Sequence, residues 1–509
     1  MAVQQIMQIA PTDAGERIRH SDDAAKWWVG VSLFNVILFG VLGLIAAIKM
    51  VMPGLFDGVS WLSWARVRPA HVNGVVFGWL VPIAIGLFQY FIPRLSGTTL
   101  YSEKIPKISL VFWQIGVLIG TISLLNPWGG ELEAGTLNPW LMTKGKEWED
   151  YNVISNVFIT IGLLGIDYNV FRTIAKRRYR QIYVATWYAV GMILWTSLVY
   201  VIGNWPGQQI DWTLHNYFGQ DGLPHFGFTG SNDMNVNWFY GHSIVGLVAT
   251  PGAIALAYYF LPKSINAPLY SHKLSIIGFW TLGAIYFWVG AHHMIYGPIP
   301  YWLQTVATVF SFLLFIPVAA AVINFLGTAR GEWHQLRYNV PFKFFMAATV
   351  MYALVSSQGS FEALRPVQAV VHFTDYTIGH AHLALFGFAT MFAFGAVIYA
   401  APRMWRRPLY SEGMAEWSFW LAFIGITVYV LSLTVGGIYQ GKLWMDYPHM
   451  PFIETVVKMT PFWHARAGGG LLMVLSMVLV AFNVYKTATT PAPVDEASTA
   501  TPTLAAVAG

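Results

Sequence analysis

The feature that most constrains the fold is a repeated run of about 20 largely apolar residues, the length that crosses a bilayer as a helix. Of the 509 residues, 56% are hydrophobic and only 10% are charged, whereas soluble domains carry about 25% charged residues. The sequence therefore predicts an all-α fold, a polytopic membrane helix bundle with about 12 transmembrane helices. The predicted spans are 28–50, 70–93, 106–126, 152–175, 183–204, 236–262, 273–297, 302–326, 341–357, 374–400, 416–436 and 465–487.

The basic residues predict how these spans are oriented. The connections after the second, fourth, sixth, eighth and tenth spans are rich in Arg and Lys, which is typical of cytoplasmic loops. An even number of spans then puts both termini in the cytoplasm. We expect a cytoplasmic N-terminal segment at 1–27, a transmembrane domain at 28–487 and a disordered cytoplasmic tail at 488–509. Residues 1–27 are polar, so no cleavable signal sequence is expected.

The composition also limits the chemistry. The chain has no cysteine, which excludes disulfides, iron–sulfur clusters, covalently attached c-type haem and copper sites with thiolate ligands. Any metal must be held by His, carboxylate, Met or Tyr. The net charge of +5 is explained by the basic cytoplasmic loops and gives no reason to expect nucleic acid as a partner.

Two histidines inside the tenth span, His380 and His382, are the strongest functional signal. At about 100° per residue, positions i and i+2 of a helix point to nearly opposite faces. The two imidazoles therefore cannot easily share one ligand, but each can reach a different one. Ionisable side chains inside a membrane are costly and mark functional sites, and two flat cofactors on either side of one helix would satisfy this pair.

Four further histidines on three other spans are predicted to lie at a similar depth in the outer half of the membrane. Taken alone, His71 is as easily explained by a hydrogen bond between helices, the pair His292 and His293 by chance placement at the membrane interface, and His242 is a weak signal. Six unrelated histidines would nevertheless have little reason to agree in depth. The four are His71 at the start of the second span, His242 early in the sixth, and His292 and His293 at the outer end of the seventh.

Imidazole is a good ligand for copper and for haem iron, and six ligands divide naturally among three metal ions. His71 and His382 would hold a six-coordinate, electron-transferring haem, and His380 a five-coordinate haem. His242, His292 and His293 would bind a copper ion opposite the open face of the second haem, which leaves a gap where a small molecule can bind.

This pattern resembles the haem-copper oxidase superfamily, and within it the catalytic subunit of cbb3-type cytochrome c oxidases. The similarity runs from the Arg-x-Arg-Pro-x-His stretch that ends at His71 to Arg466-Ala467-Gly468-Gly469-Gly470. The most specific elements are Trp-x-x-Gly-His at His242 and the segment His372-Phe373-Thr374-Asp375-Tyr376-Thr377-Ile378-Gly379-His380-Ala381-His382. The resemblance implies a low-spin haem b, a high-spin haem b3, copper, and membrane-anchored c-type cytochrome subunits as partners in a bacterial cytoplasmic (inner) membrane.

Tyr286 carries the likeness to the cbb3 type. In that type the tyrosine crosslinked to a copper histidine comes from the seventh span, and Tyr286 precedes His292 by the spacing that the pattern requires. On a continuous helix it would lie on the same face as His293 and about 10 Å deeper. A phenol there supplies an electron and a proton to bound oxygen. Without the resemblance, Tyr286 reads as one more aromatic residue in an aromatic-rich span.

Nitric oxide reductase, a relative with the same six histidines and a non-haem iron in place of copper, is the alternative. The resemblance places its glutamate four residues after the histidine of the sixth span, where this chain has Gly246. Because an oxygen ligand suits iron and three imidazoles suit copper, Gly246 and Tyr286 favour oxygen reduction. A secondary transporter, the third alternative, gives no reason for histidines gathered at one depth.

The resemblance also suggests a route for protons from the cytoplasm. Ser275, Asn324 and Tyr352 match polar positions of the family, although such residues often only bridge helices. At the end of the ninth span, where the family usually has a glutamate thought to carry protons, this chain has Gln358. Glutamine does not titrate, so Glu362, one turn further on, is the expected substitute.

Polar groups near the outer surface have expected partners as well. Arg68 and Arg466, together with Arg66, could form charge-assisted hydrogen bonds with haem propionates, although snorkelling at the interface explains Arg66 equally well. Family members hold calcium near a propionate, and calcium binds several oxygens. Its candidate ligands here are Glu131, Glu133, Glu147, Glu149 and Asp150.

The sequence therefore predicts the catalytic subunit of a terminal respiratory oxidase. It would reduce oxygen to water with electrons from c-type cytochromes, take up protons from the cytoplasm and pump protons. Because the chain has no cysteine to attach its own haem c, the electron donor must be another polypeptide.

Overall fold

A computed structural model describes residues 18–126, 145–204, 230–447 and 449–491, and within them twelve main helices follow one another along the chain. Short 3₁₀ and α-helical turns join them. The helices are α1 Asp23–Val51, α2 Trp64–Ser96, α3 Lys104–Leu125, α4 Val153–Ala175, α5 Val184–Asn204, α6 Gly230–Ile265, α7 His272–Tyr286, α8 Tyr301–Thr328, α9 Val340–Glu362, α10 Asp375–Trp405, α11 Glu412–Met445 and α12 Phe452–Thr489.

Eleven of these helices in the described part of the chain are long and apolar enough to cross a membrane. The predicted helix bundle is thus confirmed, and each of the twelve predicted spans corresponds to one helix. The exception in length is α7, whose 15 residues rise only about 22 Å. Its predicted span extended to residue 297, but the helix ends at Tyr286 and the remainder forms the 3₁₀ turn Gly290–Met294.

Three helices form the centre of the bundle. In the most apolar windows of α2, α6 and α10, 94%, 94% and 89% of the residues are buried, against 33–61% in the other spanning helices. The three contact one another, and the remaining helices surround them. A helix that is apolar on all sides belongs in an interior, and these three helices carry four of the six predicted ligand histidines.

Each central helix contains a π-helical stretch that begins one to four residues after His71, His242 or His382. The stretches are Val75–Leu80 in α2, Ile244–Ala249 in α6 and Leu383–Thr390 in α10. Short π-helical insertions are rare and often mark functional sites. The three central helices therefore share the same local irregularity at the same place, shortly after a histidine.

The far ends of the same helices also share a pattern, Tyr-x-x-Pro followed by Arg or Lys. Each cation lies over the ring of the tyrosine four residues before it. Its positive charge near the C-terminus of the helix interacts favourably with the helix dipole. The pairs are Arg94 over Tyr90 at 3.8 Å, Lys263 over Tyr259 at 5.2 Å and Arg403 over Tyr399 at 3.6 Å from the ring centroid. We call this end of the bundle the basic side, and the end where α2, α6 and α10 begin the histidine side.

Candidate haem and metal centre

Three histidines converge on the histidine side, His242 from α6 and His292 and His293 from the 3₁₀ turn after α7. Their ligand nitrogens all lie within 4.8 Å of one another. Nδ1 of His242 is 2.9 Å from Nε2 of His293. Within the described ranges no other group of three or more His, Cys, Asp or Glu side chains is close enough to hold one metal ion. Three imidazoles without a carboxylate suit copper.

The surroundings of this cluster favour metal binding. The Ser311 hydroxyl donates to a backbone carbonyl of its own helix at 2.7 Å, so it accepts from Nδ1 of His292 at 2.8 Å and leaves Nε2 of His292 without a proton. Nε2 of His242 is buried without a hydrogen-bond partner among the described residues. Trp238 packs flat on His293, with ring centroids 3.9 Å apart. Metal-binding histidines have such outer contacts, so these residues fit a copper ion.

Tyr286 packs against the same cluster. Its ring lies on that of His242, with centroids 4.7 Å apart and an angle of 19° between the planes. The prediction that Tyr286 lies about 10 Å deeper than His293 assumed a continuous helix and is wrong. Helix α7 ends at Tyr286, and the chain turns before it reaches the histidines. The turn lies close to α6, since a Cβ on Gly290 would be 2.5 Å from the Trp238 carbonyl oxygen.

Gly246 makes room for this tyrosine. A Cβ built on Gly246 would lie 1.5 Å from Cζ of Tyr286, and two further ring atoms would be within 2.2 Å. No side chain fits at position 246 while the ring stays where it is. From the sequence alone, Gly246 and Tyr286 are considered separately, but in the structure the two residues are in direct contact.

His71 on α2 and His382 on α10 form a second pair. Their rings are nearly parallel, with an interplanar angle of 14° and centroids 6.2 Å apart. Nδ1 of His71 donates to the Phe39 carbonyl at 2.7 Å and Nδ1 of His382 donates to the Ile378 carbonyl at 2.9 Å, which leaves both Nε2 atoms unprotonated. A metal ion between the two rings would need two metal–nitrogen bonds of about 2 Å each. Those two bonds and the distance from each Nε2 to the centre of its own ring add up to a separation of this size. The pair fits one haem iron.

His380 faces away from that pair, toward α9 and the three-histidine cluster. Its Nδ1 lies 3.3 Å from Oε1 of Gln358, and a Cβ on Gly359 would be 2.9 Å from its Cε1. It interacts electrostatically with His242 and His292. His380 and His382 thus have different neighbours on the two sides of α10, as the i, i+2 spacing predicts.

Tyr429 on α11, which sequence reasoning missed, links His382 to Arg466. The Tyr429 hydroxyl is 3.3 Å from Nε2 of His382, and Nε of Arg466 donates to that hydroxyl at 3.1 Å. Arg466 is also 3.7 Å from an Asp375 carboxylate oxygen. Aromatic residues are common throughout the chain, so only the fold distinguishes this tyrosine from the others.

The other two arginines are engaged near the start of α2. Nη2 of Arg68 donates to Glu147 at 2.6 Å, and Arg66 donates to the carbonyl of Asn126. Asn73, two residues after His71, donates to Asp150 at 2.6 Å. The predicted calcium ligands Glu131 and Glu133 lie outside the described residues. The calcium ion stays a prediction.

The polar residues predicted for proton transfer divide into two groups. Asn324 donates to Ser275 at 2.9 Å and to the Tyr258 hydroxyl at 3.4 Å, near the basic side. Tyr352 interacts electrostatically with both Tyr258 and Tyr286. Tyr258 is a member of this group that the sequence did not single out.

Gln358 and Glu362 are not in that group. Gln358 contacts His380, and Glu362, at the histidine-side end of α9, accepts a hydrogen bond from Thr377 at 3.0 Å. The two residues lie about one turn apart on one helix, beyond Tyr352 as seen from the basic side.

Comparison with known proteins identifies the family. The profile of the family described as cytochrome c and quinol oxidase polypeptide I matches residues 23–472. The chain belongs to this haem-copper oxidase family. Among its relatives, the cbb3-type cytochrome c oxidase subunit CcoN1 of Stutzerimonas stutzeri is 31% identical over 90% of this chain and 93% of the relative. A cytochrome c oxidase subunit 1 homologue of Bradyrhizobium diazoefficiens is 31% identical over 94% of this chain and 84% of its own.

Two further proteins are similar to this chain at lower identity. A nitric oxide reductase from Stutzerimonas stutzeri is 24% identical over 87% of this chain and 92% of its own. A haem-copper terminal oxidase dimer solved by cryo-EM shares the fold, with a TM-score of 0.69 and 18% identity over 94% of this chain and 86% of that chain. As a member of this family, the protein is a multi-pass membrane oxidoreductase of a class that carries haem and copper and assembles with other oxidase subunits.

Proposed function

We propose that this protein is the catalytic subunit of a terminal respiratory oxidase of the cbb3 type, which reduces oxygen to water. The observation that carries the proposal is the contact between Tyr286 and Gly246. It supplies a phenol beside the three-histidine cluster and closes the position where the nitric oxide reductase pattern requires a glutamate.

Each set of histidines has a distinct role in this proposal. His71 and His382 hold a low-spin haem b, His380 holds a high-spin haem b3, and His242, His292 and His293 hold copper. When bound, the low-spin haem relays electrons, and the high-spin haem and copper bind and reduce oxygen. Ser311, Phe39 and Ile378 fix the tautomers of their histidine partners, so that the ligand nitrogens are unprotonated before any metal arrives.

Tyr286 and the polar group near the basic side supply protons. The phenol of Tyr286 can release an electron and a proton, and the proton must be replaced from one side of the membrane. Ser275, Asn324 and Tyr258 form hydrogen-bonded contacts near the basic side, and Tyr352 interacts electrostatically with both Tyr258 and Tyr286. We propose that protons are taken up from the basic side through these residues. Proton pumping is proposed from the family resemblance.

The orientation and partners follow from charge and composition. Because cationic ends favour the cytoplasm, we place the basic side there and the histidine side toward the outside of a bacterial inner membrane. Electrons then arrive from outside. The donor proposed is a membrane-anchored c-type cytochrome, since this chain has no cysteine for covalent haem attachment.

Nitric oxide reductase is the second candidate, supported by the relative that aligns over most of this chain. Metal and haem analysis of the purified complex separates the two. Haem b with one copper per chain, together with fast oxygen and slow nitric oxide turnover, is the expected result. Haem b with non-haem iron and no copper would overturn the oxidase assignment, and absence of haem would overturn both.

A further inference from the structure

Gln358 is bound to the histidine that the proposed function assigns to the high-spin haem. Its Oε1 lies 3.3 Å from Nδ1 of His380, and its Nε2 donates to Oγ1 of Thr434 at 3.2 Å. If Nε2 of His380 binds iron, the proton of the neutral ring must be on Nδ1, which then donates to Oε1. With that proton on Nδ1, the amide oxygen faces the ring and the amide nitrogen points to Thr434, on α11.

The position of His380 is also restricted sterically by α9. A Cβ on Gly359 would be 2.9 Å from Cε1 and 3.2 Å from Nε2 of the imidazole, so the ring lies directly against the helix backbone. The nearest carboxylate on α9, that of Glu362, accepts its hydrogen bond from Thr377. The acceptor at Nδ1 of His380 is therefore a neutral amide oxygen.

We propose that Gln358 is a positioning residue that holds His380 as a neutral imidazole ligand and thereby keeps the high-spin haem easy to reduce. The acceptor on the second nitrogen of a ligating histidine sets its orientation and its basicity. A carboxylate there would draw the Nδ1 proton toward itself, make His380 a stronger electron donor and stabilise oxidised iron. An amide oxygen withdraws the proton much less.

This inference rests on the proposed function, because it requires haem iron at His380, and its test uses the whole complex with haem bound. The measurements are the iron–histidine stretching frequency by resonance Raman spectroscopy of the reduced complex and the midpoint potential of the high-spin haem by redox titration. Gln358→Glu should raise the stretching frequency. It should also lower the ratio of reduced to oxidised high-spin haem at a fixed potential by roughly tenfold, equivalent to about 59 mV for one electron.

Two further variants complete the test. Ser357→Ala is the matched control, since the Ser357 hydroxyl donates only to the Ala353 carbonyl of its own helix, and it should leave both quantities unchanged. Gln358→Leu removes the acceptor without adding charge and should broaden and lower the stretching band. If Gln358→Glu fails to assemble with haem, Gln358→Leu decides the outcome by the same two measurements.

The results distinguish the two proposals. Wild-type complex without a high-spin haem would overturn the proposed function. High-spin haem that is present but has the same stretching frequency and potential in the Gln358 variants as in Ser357→Ala would overturn the inference alone.

Discussion

At the residue scale, the proposed oxidase function depends on the contact between Tyr286 and Gly246. The ring of Tyr286 occupies the space that a side chain at position 246 would need, so the residue that supplies the phenol also prevents a carboxylate ligand. A nitric oxide reductase could not evolve from this chain by adding the glutamate alone. Tyr286 would have to move at the same time.

The phenol itself is tested by Tyr286→Phe. The ring still packs on His242, so copper content and the haem spectrum should stay as in wild type. Oxygen turnover should fall by about 100-fold or more, the range for loss of a positioned proton donor. Turnover in an oxygen electrode close to the wild-type rate would mean that Tyr286 is an ordinary packing residue.

The space at position 246 is tested by Gly246→Ala. The added methyl overlaps the Tyr286 ring, and relief of such overpacking typically costs about 1–3 kcal/mol. We expect a lower thermal midpoint and a loss of oxygen turnover as the ring moves away from His242. The control is Gly468→Ala on α12, where a Cβ meets nothing within 4 Å, and an equal effect in both variants would contradict the contact.

At the element scale, the helices were predictable and their irregularities were not. Runs of apolar residues fix where a chain can cross a bilayer, so each predicted span has its helix. The end of α7 at Tyr286 and the π-helical stretches after His71, His242 and His382 leave no mark on hydropathy, because residues on both sides are equally apolar. The missed end of α7 made the predicted distance between Tyr286 and the histidines wrong. It did not affect the prediction of the six ligand histidines, which rests on their depth and spacing in the sequence.

Helix α8 supports the three-histidine cluster through one hydroxyl. Ser311→Ala removes the acceptor that fixes the His292 tautomer, and loss of such an outer contact typically lowers metal affinity by about 10–100-fold. We expect copper content, measured by atomic emission after dialysis against a weak chelator, to fall while haem content is retained. Thr308→Val on the same helix is the control, because Thr308 donates only to backbone carbonyls; equal copper in all three proteins would contradict the role of Ser311.

The segment before α1 predicts a pH dependence of stability. Burial and, to a smaller extent, the Arg94 guanidinium lower the pKa of His20 from 6.5 to about 4, and Asp22 opposes them. The folded state thus favours neutral His20, while the unfolded chain takes up a proton near pH 6.5. Protonation of the unfolded chain therefore lowers the free energy of unfolding as the pH falls from 6.5 toward 4, and has no effect above that range.

His20→Gln is neutral at every pH and should remove this contribution. Thermal midpoints of both proteins are measured in detergent from about pH 7 to 4. The wild-type midpoint should fall more steeply toward acidic pH than that of the variant. Parallel curves would mean that His20 takes no part in the pH dependence.

At the scale of the whole molecule, the natural absence of cysteine makes orientation directly measurable. Gly413→Cys lies on the basic side and Glu454→Cys on the histidine side, and both positions are exposed. A membrane-impermeant maleimide added to intact cells should label Glu454→Cys and leave Gly413→Cys unlabelled until the membrane is opened. The reverse pattern would invert the proposed topology and put proton uptake on the outside.

The π-helical stretches have a consequence for how such a bundle can change. One extra residue in a helix turns everything before it by about 100° relative to everything after it, and a π-helical stretch absorbs that residue without breaking the helix. In α2, α6 and α10 the stretch separates the histidine from the buried core and basic end. Insertion or deletion of a single residue there would redirect a ligand while the packing below it stays in register. A change of one codon can therefore turn one histidine toward a new neighbour and leave the rest of the bundle as it is.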